Sequence, residues 1–282
     1  NKPHTRSIYG YSFKTCRYKI MCGIVGIYHK KEPACGDVYD ALIQVQHRGQ
    51  DAAGISTLDA EKISTHKYTG LVTEVFKHQT TFDKLAGNIG IGHVRYPTAG
   101  GDNVSEAQPF FTANPVNISL AHNGTLTNSE KLKEELIRIN FCQFNTNSDS
   151  EVLLKQFCYE LYKTNFRKLT KTHVYKALNK VFQKCSGGYA VVMIVAGIGL
   201  VAFRDPKGIR PLSLGKHKNS YLIASESSAI TAMGYHLESD IKPGQVVIID
   251  EQGNVDKKRP IKGSTNQPCL FEYVYFSRPD ST

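Results

Sequence analysis

Two groups of strand-like segments lie on either side of a helical centre, and this order constrains the fold more than any other feature. Helical periodicity occurs at 37–46, 128–139, 148–161 and 173–182. Apolar, β-branched runs bounded by glycine or turn residues occur at 22–27, 53–58, 88–96, 117–122 and repeatedly within 189–250. Sheets built from both groups can bury their apolar faces against each other, with the helices outside. The order therefore predicts stacked sheets with outer helices.

The helix predicted at 148–161 has the clearest start. Ser148 and Glu151 form the pattern of a capping box, in which each side chain binds the other residue's backbone N–H. Apolar residues follow at helical spacing on one face. We therefore expect this helix to begin at Ser148 and to pack one face on a sheet.

The net charge of +10 does not by itself predict a nucleic-acid partner. Five of the 35 Lys and Arg residues, and none of the 25 acids, lie within 1–21. The excess over the rest of the chain is small and forms no basic stripe. We expect no nucleic-acid partner and, because no run of about 18 apolar residues occurs, no membrane partner.

The seven cysteines contain no CxxC pair and no zinc-like spacing, which argues against a disulfide framework or an internal metal site. A reducing compartment, the cytoplasm, is the simplest expectation. Residue 1 is Asn, and 1–21 is basic and acid-free. We expect 1–21 to be a leader, a propeptide or a non-native tail, and organellar targeting by 1–20 stays open.

Cys22 directly follows Met21 and begins the apolar run 22–27. If everything before it is removed, Cys22 carries both a sulfur nucleophile and a free α-amine. Because an α-amine has a pKa of about 7.7–8.0, it can take the thiol proton without a partner histidine. On this stretch alone, a small buried hydrophobic cysteine is the more frequent alternative.

Six short motifs occur in a highly specific order. They are 21–27 (MCGIVGI), 47–55 (HRGQDAAGI), 92–100 (GHVRYPTAG), 121–125 (AHNGT), 147–151 (NSDSE) and 186–189 (SGGY). Together they resemble the class II glutamine amidotransferases, which are N-terminal nucleophile hydrolases. The resemblance runs from Met21 to about Asp250. It implies an α+β fold, specifically a four-layer αββα sandwich, and an enzyme that binds glutamine and releases its amide nitrogen.

Two motifs separate branches of this family. Residues 47–51 (HRGQD) and 95–98 (RYPT) resemble the members that pass ammonia to phosphoribosylpyrophosphate in the first step of purine synthesis. Glucosamine-phosphate synthases tend to have Tyr-Arg-Gly-Tyr-Asp and Arg-Trp-Ala-Thr instead. Residues 203–212 and 269–280 resemble the same phosphoribosylpyrophosphate-using branch. This branch implies phosphoribosylpyrophosphate with Mg²⁺ in a further C-terminal domain, and a homo-oligomer.

The resemblance also implies the catalytic residues. Cys22 would attack the glutamine amide to form a thioester, and the Asn123 side chain with the Gly124 N–H would bind the oxyanion. On the residues alone, Asn-Gly after a strand predicts a two-residue hairpin turn, and both interpretations can hold at once.

Arg95, Asp149 and Thr98 are the residues that the resemblance assigns to glutamine binding. Arg95 would hold the α-carboxylate through its planar guanidinium, and Asp149 would pair with the α-ammonium. Tyr96 and Thr98 lie on the family's glutamine loop, and Arg48 would support the surroundings of the nucleophile. Two structural alternatives stay open, a solvated charge at a strand end for Arg95 and a complement to the helix dipole for Asp149.

The expected domain organisation has three parts. Residues 1–21 are the leader or tail, 22–256 form the amidotransferase domain, and 257–282 begin a truncated phosphoribosyltransferase domain. No cofactor or metal is expected within this segment. Cys269 lies where some members of the family place an iron–sulfur ligand, and the presence of a cluster stays open.

Two alternative functions also stay open. The first is another class II amidotransferase such as glucosamine-6-phosphate synthase, which sequence beyond residue 282 would decide. The second is a non-catalytic basic binding module on the same fold. Salt-dependent RNA affinity in a Cys22→Ala variant would favour that module.

Overall fold

The computed structural model describes residues 22–96, 104–139 and 141–281. Within them the strands are β1 (Gly23–Tyr28), β2 (Ala52–Asp59), β3 (Lys62–Thr69), β4 (Ile89–Arg95), β5 (Phe110–Thr112), β6 (Ile118–Leu126), β7 (Gly187–Val195), β8 (Gly199–Arg204), β9 (Ser213–His217), β10 (Ser220–Ala224), β11 (His236–Asp240), β12 (Val246–Asp250) and β13 (Val255–Lys258). The helices are α1 (Cys35–Gln44), α2 (Val72–Val75), α3 (Gln79–Asp83), α4 (Ser129–Arg138), α5 (Asp149–Tyr162), α6 (Lys171–Lys184) and α7 (Ser227–Ala232).

The strands form two antiparallel sheets. The first has the order β11-β9-β10-β1-β4-β2-β3, and the second has the order β13-β12-β8-β7-β6-β5. β1 lies inside the first sheet, where Ile24 pairs with His93 of β4 and Val25 pairs with Ala224 of β10. The residue before β1 is therefore held between strands on both sides.

Three apolar clusters define four layers. One cluster packs α4, α5 and α6 on the second sheet, for example through Phe157 and Leu178 against Val191. Another packs α1 and α7 on the first sheet. The third lies between the sheets and joins Ile24 and Ile91 to partners on the opposite sheet. Among the described residues no helix is long and apolar enough to cross a membrane.

The predicted four-layer αββα sandwich is confirmed, because helices cover the outer face of each sheet. The predicted capping box is wrong in both halves, although Ser148 does cap the helix. Ser148 Oγ accepts from the Ser150 N–H at 3.3 Å instead of from Glu151, and Glu151 Oε2 accepts from the Thr146 N–H at 2.8 Å instead of from Ser148. The helix starts where expected, but the Glu151 carboxylate binds the Thr146 N–H, which lies before the helix.

Candidate active site

Cys22, Arg95 and Asn123 lie at one end of the layer between the sheets. Side chains alternate across a strand, so residues two apart share a face. Ile24 of β1, Ile91 of β4 and Ala121 of β6 belong to the cluster between the sheets. The alternation therefore directs Cys22, Arg95 and Asn123 towards the same layer, as their assigned roles require.

The backbone around Cys22 is tightly held. Its carbonyl oxygen accepts a hydrogen bond from Arg48 Nε at 3.2 Å. Two residues further on, the Ile24 N–H donates to Ser225 Oγ at 3.0 Å. A Cβ on Gly23 would lie 2.8 Å from a methyl carbon of Val94, so glycine is required beside the thiol. These contacts fix the position from which Cys22 can attack.

The environment of Cys22 favours the protonated thiol, because the pKa of the thiol is raised. Burial raises its pKa, and this effect outweighs contact with the Tyr96 backbone and the positive charges of Arg95 and Arg210. The negative charge of Asp149 acts in the same direction as burial. Because only the thiolate is strongly nucleophilic, a base must take the proton before Cys22 can react.

Asn123 and Gly124 lie inside β6, where they pair with Ala190 and Tyr189 of β7. The predicted hairpin turn is therefore wrong. Gly124 has φ +149, and a Cβ on it would meet the Gly188 carbonyl oxygen at 2.1 Å. Glycine is thus required here by the neighbouring strand and not by a turn.

The polar atoms of the Asn123 side chain are available to a ligand. The residue is fully buried, and neither its Oδ1 nor its Nδ2 has a hydrogen-bond partner among the described residues. Leaving a buried amide unpaired costs roughly 1–3 kcal/mol. A side chain held at this cost is ready to donate to an oxygen atom that arrives with the substrate.

The Gly124 N–H points to the same edge of β6 as its neighbours two residues away. In antiparallel pairing, every second residue directs its N–H away from the partner strand. On this edge the His122 N–H donates to Gln108 Oε1 at 2.7 Å, and the Leu126 N–H donates to Asp149 Oδ2 at 2.9 Å. The Gly124 N–H lies between these two bonds, next to Asn123.

Arg95 is buried, which excludes the solvated charge at a strand end. Its guanidinium forms ion pairs with Glu106 at 2.7 Å and with Asp51 at 3.3 Å. Asp149 is the first residue of α5, and its bond to Leu126 shows a contact beyond the helix dipole. Thr98 lies outside the described residues.

Arg48 is the most deeply buried of the predicted supporting residues. Besides Cys22 O, it binds Glu226 Oε1 at 2.5 Å and Glu272 Oε2 at 2.7 Å. Burial disfavours the negative charge of Glu226, but hydrogen bonds from His47 and Arg48 and the Arg48 charge lower its pKa to about 2. The predicted supporting role thus has a physical basis in an ionised, buried network.

Comparison with known proteins gives this site a family. Residues 93–232 match the model of the glutamine amidotransferase domain. Over 265 residues the chain is 47% identical to an amidophosphoribosyltransferase of Pseudomonas aeruginosa, covering 93% of this chain and 52% of that protein. The chain contains a glutamine amidotransferase domain of class II. It is also 44% identical over 272 residues to an amidophosphoribosyltransferase of Saccharomyces cerevisiae, covering 93% of this chain and 53% of that protein.

Solved structures support the same fold for this amidotransferase. A glutamine phosphoribosylpyrophosphate amidotransferase from B. subtilis, complexed with ADP and GMP, superposes with a TM-score of 0.80 and 34% identity. The match covers 93% of this chain and 54% of that chain. The amidotransferase chain thus spans about half the length of the relatives it matches.

Cys269 is half-buried in this amidotransferase, and its backbone N–H donates to the Ile209 carbonyl oxygen at 3.2 Å. A search of the described residues finds no group of three or more His, Cys, Asp or Glu side chains that could hold a metal ion. The possible iron–sulfur role of Cys269 therefore stays a prediction.

Sequence reasoning missed a buried polar cluster beside Asn123 and Gly124. Ser150 Oγ lies 2.8 Å from His122 Nδ1, and Gln108 Nε2 donates to Ser150 Oγ at 3.0 Å. His93 lies fully buried on β4, and neither ring nitrogen has a partner among the described residues. Histidine in the 92–100 motif was the available signal, but nothing in one sequence shows that two histidines meet.

This histidine pair predicts loss of stability in acid. Burial, followed by the charges of His122 and Arg95, lowers the pKa of His93 to about 3, and burial also lowers the pKa of His122. Below the unfolded value of about 6.5, the unfolded chain binds protons that these folded rings refuse, so stability falls as pH falls. Each site contributes a slope of up to about 1.4 kcal/mol per pH unit.

Between about pH 6.5 and 4, the free energy of unfolding of the His93→Leu variant should therefore depend less steeply on pH than that of the wild type, by the contribution of one proton. Denaturant unfolding across that range measures it. The matched control is His236→Leu, because His236 is exposed on β11. Equal slopes in wild type and His93→Leu would contradict a neutral, buried His93.

Proposed function

We propose that this chain is the glutamine-hydrolysing part of a longer amidophosphoribosyltransferase, in which ammonia released from glutamine is passed to phosphoribosylpyrophosphate. The observation that carries the proposal is that Cys22, Arg95 and Asn123 each lie an even number of residues from a member of the inter-sheet cluster, so strand alternation directs all three towards that layer. The names of the relatives from several organisms support the choice of the second substrate.

The first step generates the nucleophile. With Cys22 as the first residue, its α-amine takes the thiol proton, which the raised pKa of the thiol makes necessary. The thiolate then attacks the side-chain amide carbon of glutamine, and a C–S bond forms as the carbonyl π electrons move to oxygen. If 1–21 stay attached, the α-nitrogen is an amide and cannot act as the base.

The second step stabilises and then collapses the tetrahedral intermediate. Asn123 Nδ2 and the Gly124 N–H donate to the oxyanion, a type of interaction worth about 10²–10³ in rate per donor. The C–N bond breaks, and the proton held by the α-amine moves to the departing nitrogen, which leaves as ammonia. Water then attacks the Cys22 thioester and releases glutamate.

Glutamine is held by its backbone groups. The planar guanidinium of Arg95, fixed by Asp51 and Glu106, would share its charge with the substrate carboxylate. Asp149 uses one oxygen for Leu126, and its other oxygen would accept from the substrate ammonium. Thr98 would contribute from the glutamine loop. Glu106, one of the two carboxylate partners of Arg95, is only partly buried.

The acceptor half of the reaction belongs to sequence beyond this chain. We place the amidotransferase domain at 22–256 and the beginning of a phosphoribosyltransferase domain at 257–282. Phosphoribosylpyrophosphate, with its Mg²⁺, would bind in that further domain. The segment 269–281 packs back on the amidotransferase domain, since the Arg278 N–H donates to Glu226 Oε2 at 3.2 Å. This packing would hold the beginning of the further domain against the amidotransferase domain.

The test uses the full-length protein with Cys22 as its first residue. Glutamine should be converted to equal amounts of glutamate and ammonia, and addition of phosphoribosylpyrophosphate with Mg²⁺ should yield phosphoribosylamine. A glutamine-mimicking alkylating agent should label Cys22, as peptide mass spectrometry would show. No glutamate and no labelling of Cys22 would overturn the proposal. Hydrolysis with transfer to fructose 6-phosphate would indicate the glucosamine-phosphate branch instead.

A further inference from the structure

Glu272 is a buried carboxylate in a segment, 269–281, whose large apolar side chains are mostly exposed. In the π-helical turn Glu272–Phe276, Glu272 is 1% exposed, whereas Val274 is 61% and Tyr275 is 71% exposed. Charged side chains are usually exposed and large apolar side chains buried, so this turn has the reverse of the usual distribution. The reason for a buried carboxylate must lie in the groups that it binds.

Both partners of Glu272 are arginines that act on Cys22. Glu272 Oε2 accepts from Arg48 Nη2 at 2.7 Å, and Glu272 Oε1 accepts from Arg210 Nη1 at 3.4 Å. Arg48 in turn donates to the Cys22 carbonyl oxygen at 3.2 Å, and the Arg210 charge favours the Cys22 thiolate. One carboxylate therefore binds the arginine that holds the Cys22 backbone and a second arginine whose charge acts on the Cys22 thiol.

Charge balance alone does not explain this arrangement. Glu226 already gives Arg48 a carboxylate partner, with its own pKa lowered to about 2. A further buried ion pair adds little net stability, because the desolvation of the charges offsets their attraction. Glu272 instead links the segment 269–281 to Arg48, which lies 224 residues before Glu272 in the chain.

We propose that Glu272 is a positioning residue for Cys22, which it orients through Arg48 and Arg210. The proposal rests on the proposed glutamine hydrolysis. The position of the segment 269–281 would then set the reactivity of Cys22.

The effect on catalysis follows from the charges. Glu272→Gln keeps the shape and a hydrogen-bonding oxygen but removes the one negative charge that pairs with both arginines. The net positive charge near Cys22 then rises, which favours the thiolate and the neutral amine. We expect the pH profile of Cys22 alkylation to move to lower pH by roughly half a unit, less than a charge in direct contact would cause.

Loss of orientation should lower kcat. Misplacement of a reacting group by about 1 Å can cost about 10²-fold in rate, so we expect kcat for glutamine hydrolysis to fall about 10–100-fold in Glu272→Gln. KM should change little, because Arg95 and Asp149 are untouched. The matched control is Glu238→Gln, which loses only an exposed ion pair with Lys257.

The experiment measures kcat, KM and the pH profile of iodoacetamide alkylation in the full-length protein with Cys22 first. A fall in kcat with a shifted profile in Glu272→Gln, and neither in Glu238→Gln, supports the proposal. An unshifted profile or an unchanged kcat in folded Glu272→Gln overturns it. Should that variant not fold, Glu272→Asp decides. Its charge is retained on a shorter side chain, so a wild-type profile with lowered kcat supports the proposal and a wild-type kcat overturns it.

The two proposals fail differently. If the wild-type protein neither hydrolyses glutamine nor becomes labelled at Cys22, the proposed function is wrong. If the wild type is active and Glu272→Gln equals it in kcat and pH profile, only the positioning role of Glu272 is wrong.

Discussion

Replacing Cys22 by alanine is expected to reduce glutamine hydrolysis by roughly 10⁴–10⁶-fold while glutamine binding persists. Alanine retains the free α-amine and the backbone carbonyl that Arg48 holds, so only the sulfur is lost. The reaction then has a base and an oxyanion site but no atom to form the thioester. Ammonia release measures the rate, and calorimetric titration with glutamine measures binding.

Cys142→Ala is the matched control, because Cys142 is also a half-buried free cysteine and is not among the predicted site residues. It should retain wild-type hydrolysis. A second comparison keeps the thiol and blocks the amine, by retaining one residue before Cys22. That form should also lose activity, since an amide cannot take the thiol proton. Activity above about 1% in Cys22→Ala would rule out the thioester route.

Local periodicity was enough to predict the layers but not every strand. The helices and the buried strands have continuous or alternating apolar residues, which a single sequence displays directly. β3 has no buried residue and is held by pairing with β2 along its whole length, from Lys62 to Thr69. Its existence depends on a neighbouring strand, and a local pattern does not report that neighbour.

Asn123 and Gly124 show the limit of local reasoning most clearly. Asn-Gly has the propensity of a hairpin turn, yet the structure places both residues inside β6 because β7 pairs along them. The reason for the glycine is the carbonyl oxygen of Gly188, a residue far away in sequence. The family resemblance assigned the pair a role, whereas the residues alone predicted the wrong backbone.

The carboxylates around Arg48 were missed for a related reason. Glu226 and Glu272 are 178 and 224 residues from Arg48, and neither lies in a recognisable local pattern of charge. An acid in a sequence is most often solvated, so its burial can be predicted only when its partner is known. Long-range ion pairs of this kind are where the structure adds most to the site.

Replacing Asn123 by alanine is expected to lower kcat by about 10²–10³-fold with little change in KM, because the lost donor acts on the oxyanion and not on bound glutamine. The expected effect on stability has the opposite sign. Asn123 Oδ1 and Nδ2 are buried without partners among the described residues, so their removal relieves a desolvation cost. The free energy of unfolding should stay unchanged or rise by up to about 1 kcal/mol.

This pairing of effects separates an oxyanion donor from a structural asparagine. A structural asparagine would lose stability on truncation, and its activity would fall only as far as folding falls. Asn117→Ala is the matched control, since Asn117 donates a hydrogen bond to the Glu61 carbonyl oxygen at 2.9 Å in an exposed position. It should change neither kcat nor stability by much. Steady-state kinetics and denaturant unfolding on the same samples decide the matter, and a destabilised Asn123→Ala with kcat near wild type would assign the oxyanion to other donors.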